Sequence, residues 1–140
     1  LEDSVPPSEK AHARTLVESV APVMRKAGAD VVVRINRPIA MAVRDIECSG
    51  VDGVDGLAIT KVDSASHLKL LDELVSKLEL KRGIPLGKIR FIAMVETAAS
   101  CLQIGDILGA SLPPTSATKT SPQTAIWSRW HKPCCLRNST

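Results

Sequence analysis

The sequence predicts an α/β fold over residues 1–107, made of repeated strand–helix units, followed by an irregular tail over 108–140. Three observations lead there. Short β-branched runs alternate with long helical stripes, the pattern of βα units. The units recur at roughly 25 to 35 residues, a spacing that suits either a (β/α)₈ barrel or a doubly wound sheet. From Leu108 onward the alternation gives way to Pro, Ser and Thr, with Trp127 and Trp130 as the chain's two tryptophans.

In chain order, Leu1 reads as the end of an earlier strand. Ser8 then precedes an apolar stripe at Ala13, Leu16, Val20, Met24 and Ala27 that stops at Gly28, a helix with a cap at each end and a kink expected at Pro22. Val31 to Ile35 reads as a buried strand and Met41 to Cys48 as a short helix. Leu57 to Ile59 is a second strand. A helix beginning near Asp63 or Ser64 carries Leu68, Leu71, Leu74, Val75 and Leu78 on one face and closes on Lys81, Arg82 and Gly83. Ile89 to Val95 is the third strand. None of these strands is followed by a glycine-rich phosphate loop, which weighs against a nucleotide site.

Composition removes several function classes. The 140 residues carry 18 basic and 15 acidic side chains, but four of the basic ones (Lys119, Arg129, Lys132, Arg137) fall in the tail, leaving 14 against 15 before it. The body therefore lacks the basic, aromatic-bearing face that nucleic acid requires, and no nucleic-acid partner is expected. No apolar run reaches the ~20 residues of a membrane helix, so no membrane partner is expected either. The four cysteines follow neither a zinc spacing nor a secreted framework, and a reducing cytoplasm is the expected location.

Polar residues stand where apolar strands end: Glu2 and Asp3, Arg34 and Asn36, Lys61, and Glu96. In a barrel, chemistry sits at those C-terminal strand ends. Carboxylates there suit Mg²⁺, a hard ion that takes oxygen ligands, and a guanidinium grips a carboxylate or a developing oxyanion through its planar donors. Acid, arginine and metal together suit an enolate reaction.

The segments LEDSVPPSEKAHAR (1–14), VVRIN (32–36), ITKV (59–62) and FIAMVETAAS (91–100), in this order and at these separations, resemble the HpcH/HpaI aldolase/citrate lyase family, most of all its citrate lyase beta type. The resemblance implies a fragment of a TIM-like (β/α)₈ barrel, about strands 2 to 5. It also implies a Mg²⁺-dependent carbon–carbon lyase acting on citryl, malyl or citramalyl thioesters of coenzyme A or an acyl carrier protein, with a parent that is a homotrimer or larger. Carried over by position, Glu96 in V-E-T becomes the metal ligand and Arg34 in V-R-I-N the catalytic, substrate-binding arginine. Glu2 and Asp3 in L-E-D become acidic groups supporting catalysis, and Lys61 a substrate-binding lysine. Thr60 departs from the family's P-K-V, which leaves the role of Lys61 less specified.

The resemblance further implies that a first strand precedes Leu1 and that a second metal carboxylate, an aspartate in an E-D-F-like segment, belongs near residue 120. A shift of reading frame at Lys119-Thr120-Ser121-Pro122 would permit Glu-Asp-Phe-Ala there, so a frameshifted tail is one expectation and a natural linker the other. On this reading the chain alone is an inactive piece of a lyase. His12 and His67 read as solvated helix residues, and Cys48 and Cys101 as small buried hydrophobes. His131 with Cys134 and Cys135 makes a poor zinc set.

Overall fold

The computed structural model describes residues 1–111 of the 140. The expected irregular tail from residue 112 onward, with its reading-frame signature at Lys119–Pro122 and the His131, Cys134 and Cys135 group, lies outside the described residues. A 3₁₀ turn at Pro7–Glu9 leads into α1 (Lys10–Lys26), followed by β1 (Val32–Ile35), α2 (Ile39–Ser49), β2 (Gly56–Ile59), α3 (Ala65–Arg82), β3 (Arg90–Ala93), α4 (Ala98–Leu102) and α5 (Ile104–Ser111). The strands form one parallel sheet in the order β1-β2-β3, with Val33, Leu57 and Phe91 in register, as are Ile35, Ile59 and Ala93. A mixed α/β fold with a parallel sheet is thus present, and α5 crosses the boundary expected at residue 107.

Alternation along each strand decides which face is covered. Val33, Ile35, Leu57, Ile59 and Phe91 are buried and join Ala42 and Ile46 of α2 and Leu68, Leu71 and Val75 of α3 in one core. Each such side chain, fully buried, contributes about 1.5 to 3 kcal/mol. The opposite sheet face is less covered, with Val32 44% exposed.

α3 forms as its sequence dictates. Ser64 caps it by accepting the His67 N–H at 3.2 Å, and Gly83 ends it in the left-handed conformation at φ 68°, where a Cβ would be strained. Gly53, at φ 103°, admits a different close approach: a Cβ there would stand 2.8 to 2.9 Å from the backbone of Ala21 and Pro22, so only glycine lets the loop before β2 lie against α1.

α1 forms where expected but turns a different face inward. Leu16, Val20 and Met24 are close to half exposed, and the buried face runs Lys10, Val17, Ala21 with Arg14 beside it. Its core-facing edge opens with two cations rather than apolar residues, because buried acceptors wait for them. Ser8 lies in the 3₁₀ turn and caps nothing; Glu9 holds the N-cap position without a side-chain hydrogen bond. No strand forms at Leu1, and β3 is shorter than expected, although Met94 N–H still bonds Ile59 O at 2.9 Å. Cys48 is buried as expected, whereas Cys101 is exposed on the outer side of α4. Among the described residues, no helix is long and apolar enough to cross a membrane.

Candidate functional site

The three strands run parallel, so their C-terminal ends share one edge of the sheet, and the loops there bring Glu2, Asp3, Arg34, Lys61 and Glu96 together. Arg34 occupies the third position of β1, on the less covered sheet face. Its Nη2 lies 2.5 Å from Glu2 Oε2 and donates to Asp3 Oδ2 at 2.8 Å. The Glu2 contact is an ion pair without hydrogen-bond alignment, and the buried Arg34 Nε has no hydrogen-bond partner among the described residues. An unmatched buried donor costs about 1 to 3 kcal/mol, a burden typical of sites shaped for something other than stability.

Lys61 joins the strand ends. Directly after Thr60 it takes a left-handed backbone, φ 48°, which is costly for a residue with a Cβ. That turn aims its main-chain N–H at Glu96 Oε2 (3.0 Å) while its Nζ reaches Glu2 Oε1 at 3.4 Å. Glu2 therefore lies between two cations, and Glu96 is oriented by a backbone donor. Thr60, standing where the family pattern has proline, is buried and donates its hydroxyl to Ile35 O at 3.2 Å, tying the end of β2 to that of β1.

The site mixes exposed and covered groups. Arg34 is 39% exposed and Asp3 66%, while the Glu2 side chain is only 8% exposed. The exposed pairs contribute little to stability, up to about 1 kcal/mol each, so their arrangement is poorly explained as a structural device. Beside them Arg37 pairs with Asp63, and His67 is half-buried rather than solvated. Burial, with the Arg37 charge behind it, holds the His67 imidazole below its ordinary pKa and therefore neutral near pH 7. His12 is exposed, as expected.

The donor set bears on a metal in a limited way. Glu96 presents a carboxylate whose Oε2 is held by Lys61, which leaves Oε1 for a ligand, and the nearby groups are oxygen donors of the kind a hard cation takes. Among the described residues, however, no group of three or more His, Cys, Asp or Glu side chains stands close enough to hold a metal ion. Glu96 fits as one ligand of a larger set.

Beneath these groups lies a buried polar network absent from the sequence reading. Lys10, Asn36 and Asp45 are each under 8% exposed, and Arg14 donates to Asp45 Oδ1 at 2.7 Å. The signal that could have found it is the i, i+4 pair of cations at Lys10 and Arg14, in line with Val17 and Ala21 on one helical face.

The chain is 30% identical over 112 residues to a citrate lyase subunit beta from Leuconostoc mesenteroides subsp. cremoris, an alignment that covers 79% of this chain and 37% of that relative. It thus spans well under half the length of the curated relative it matches. The family model for HpcH/HpaI aldolase/citrate lyase matches residues 1–118, most of the sequence and every residue of the site, and the chain belongs to that family.

Proposed function

We propose that this chain is the part of a magnesium-dependent carbon–carbon lyase that contributes strands 3 to 5 of a TIM-like barrel and the residues that follow strand 2, and that the longer protein cleaves a 3-hydroxy-acyl thioester of the citryl, malyl or citramalyl type. The observation that carries this reading is the convergence of Glu2, Asp3, Arg34, Lys61 and Glu96 at the C-terminal ends of adjacent parallel strands. Sequential strand order is compatible with it, since a barrel adds each strand beside the last.

Cleavage breaks the bond between the carbon bearing the hydroxyl and the α-carbon of the thioester. The alcohol loses its proton and becomes the carbonyl of a 2-oxo acid; the bonding pair passes to the thioester as an enolate, which is then protonated to an acetyl thioester. Arg34 would face the developing enolate oxygen, where one well-placed donor is worth roughly 3 kcal/mol. Lys61 would hold a substrate carboxylate, its backbone keeping Glu96 aligned. Glu2 and Asp3 would keep the two cations in place between turnovers. Glu96 would hold Mg²⁺, which as a Lewis acid polarises the oxo-acid oxygens. The thioester would be carried on coenzyme A or an acyl carrier protein, and the parent would assemble as a homotrimer or larger.

A second reading concerns the 140 residues by themselves. Because the described residues supply no three-membered ligand set, we expect this chain to bind Mg²⁺ weakly and to be inactive alone. Both readings are checked by calorimetric Mg²⁺ titration and by assay of acetyl-thioester release from citryl, malyl and citramalyl thioesters. The chain alone should show weak binding and no release, and a longer parent should show Mg²⁺-dependent release. Turnover by residues 1–140 would overturn the second reading; a parent inert on all three substrates would overturn the first.

A further inference from the structure

Lys10 is an unusual residue to find at the start of a helix facing the core. It is 7% exposed, and its ammonium group donates to Leu1 O at 2.9 Å, to Glu2 O at 2.8 Å and to Asn36 Oδ1 at 2.8 Å. An ammonium removed from water is strongly disfavoured unless its donors are used, and here all three are. Asn36 is held in turn: its main-chain N–H and its Nδ2 both donate to Asp45 Oδ2, at 2.8 and 2.6 Å, and Asp45 is fully buried with Arg14 on its other oxygen.

The targets of Lys10 are informative. Two are main-chain carbonyls in the segment that carries Glu2 and Asp3, and the third belongs to the residue two positions after Arg34. A lysine that merely closed the core would need no acceptors from both halves of the ion-pair cluster. A methylene stem ending in a fixed cation sets the distance between those halves, since each hydrogen bond tolerates only a few tenths of an ångström.

We propose that Lys10 is the positioning residue of the site: through Asn36 and the carbonyls of Leu1 and Glu2, it fixes the acidic loop against β1, so that the Glu2 and Asp3 carboxylates meet Arg34 and Lys61. Asp45 and Arg14 complete the brace by fixing Asn36. This deepens the site reading above and rests on it for what the site does, but the contacts and their test do not depend on turnover.

Nitrogen-15 NMR on the whole 140-residue chain tests the proposal. In the unaltered protein the Lys10 ammonium should give its own signal, with proton exchange ~10-fold slower or more than that of the exposed Lys77. Exchange at the rate of Lys77 would overturn the proposal, and this measurement decides the matter if the substituted chain fails to fold. In Lys10→Met, backbone order should fall at Glu2 and Asp3 and exchange of the Arg34 Nε–H should speed up by ~10-fold, while β2 and β3 amides keep their protection. Lys10→Arg, which retains charge and donors, should recover part of that order. A general loss of stability with the Arg34 and Glu2 signals unchanged in the folded protein would mean that Lys10 is only structural, and would sink the proposal. A lyase assay on a longer parent is a separate outcome: its failure removes the proposed reaction and leaves these signals as they are.

Discussion

The carboxylates at the two ends of the sheet differ in how far backbone amides hold them. At the N-terminal ends, Asp55 accepts the Val31 N–H at 3.0 Å on one oxygen, with Arg25 and Lys88 on the other, while its own backbone bonds Val31 O and receives Arg90 N–H. Glu79, fully buried on α3, accepts the N–H groups of Gly87 and Ile89, both at 2.8 Å, and so shapes the loop entering β3. At the C-terminal ends, the carboxylates of Glu2 and Asp3 meet, among the described residues, only side-chain cations, and those are between 39% and 52% exposed. A carboxylate whose two oxygens both take buried backbone amides, as those of Glu79 do, is framework, because nothing can replace the amides; Glu96, held by the single Lys61 amide, keeps its other oxygen open. A carboxylate held by exposed cations is exchangeable, because an incoming anion can take its place.

The sharpest way to break the comparison is to alter a cation at the exchangeable end. In an active longer parent, Arg34→Lys should lower turnover by about 100-fold, the loss expected when one oriented donor to an oxyanion is removed, while the melting temperature moves by less than about 2 °C. Steady-state kinetics beside thermal melts decide it, and equal rates for the two residues would assign Arg34 to the framework. Glu79→Ala at the other end should do the reverse. Two buried amides lose their acceptor, so the chain should lose about 3 kcal/mol of stability, read as a drop in the urea midpoint. A shift no larger than that of an exposed substitution would refute the framework role.

Asp55 sharpens the comparison through pH. Its burial opposes ionisation, but the Val31 N–H and the Lys88 and Arg25 charges outweigh that, so its carboxyl titrates below the ordinary carboxylate range. A folded-state pKa below the unfolded one means that the unfolded chain binds the proton first. The contribution is therefore complete above the unfolded value and fades as pH falls through the folded one. Urea midpoints taken between about pH 6 and pH 3 should fall with acidity, and Asp55→Asn should flatten that fall, with a smaller loss at neutral pH than Glu79→Ala. Parallel curves for the two proteins would show that Asp55 contributes no such linkage.

Much of this was legible in the sequence where a single physical signal dominated. α3 announced itself through Ser64, Gly83 and an apolar stripe, and it packs on that stripe. Arg34, Lys61 and Glu96 could be singled out because each ends an apolar run, and parallel strands necessarily gather such residues at one edge. α1 deceived for the same reason in reverse. Its apolar stripe was the visible signal, yet the chain buries Lys10 and partly covers Arg14 because Asn36, Asp45 and two main-chain carbonyls offer acceptors that no periodicity records. α4 and α5 carried no comparable stripe; α4 starts at a capping box in which Thr97 and Ser100 exchange hydrogen bonds.

The order β1-β2-β3 also bears on how the chain is made. Val32 pairs with Gly56 and Gly56 with Arg90, so each strand finds its neighbour in the one synthesised just before it, across a single intervening helix. Such pairings close short loops and fold faster than arrangements whose partners lie far apart in sequence. On a ribosome, β1 and α2 would emerge before β2 and offer an edge on which β2 is laid, and β2 would then offer its own edge to β3. Growth in this manner always leaves one fresh strand edge waiting for the next segment, and a nascent chain that stalls after β3 carries that edge, with its unpaired amides, into surroundings where other chains can pair with it.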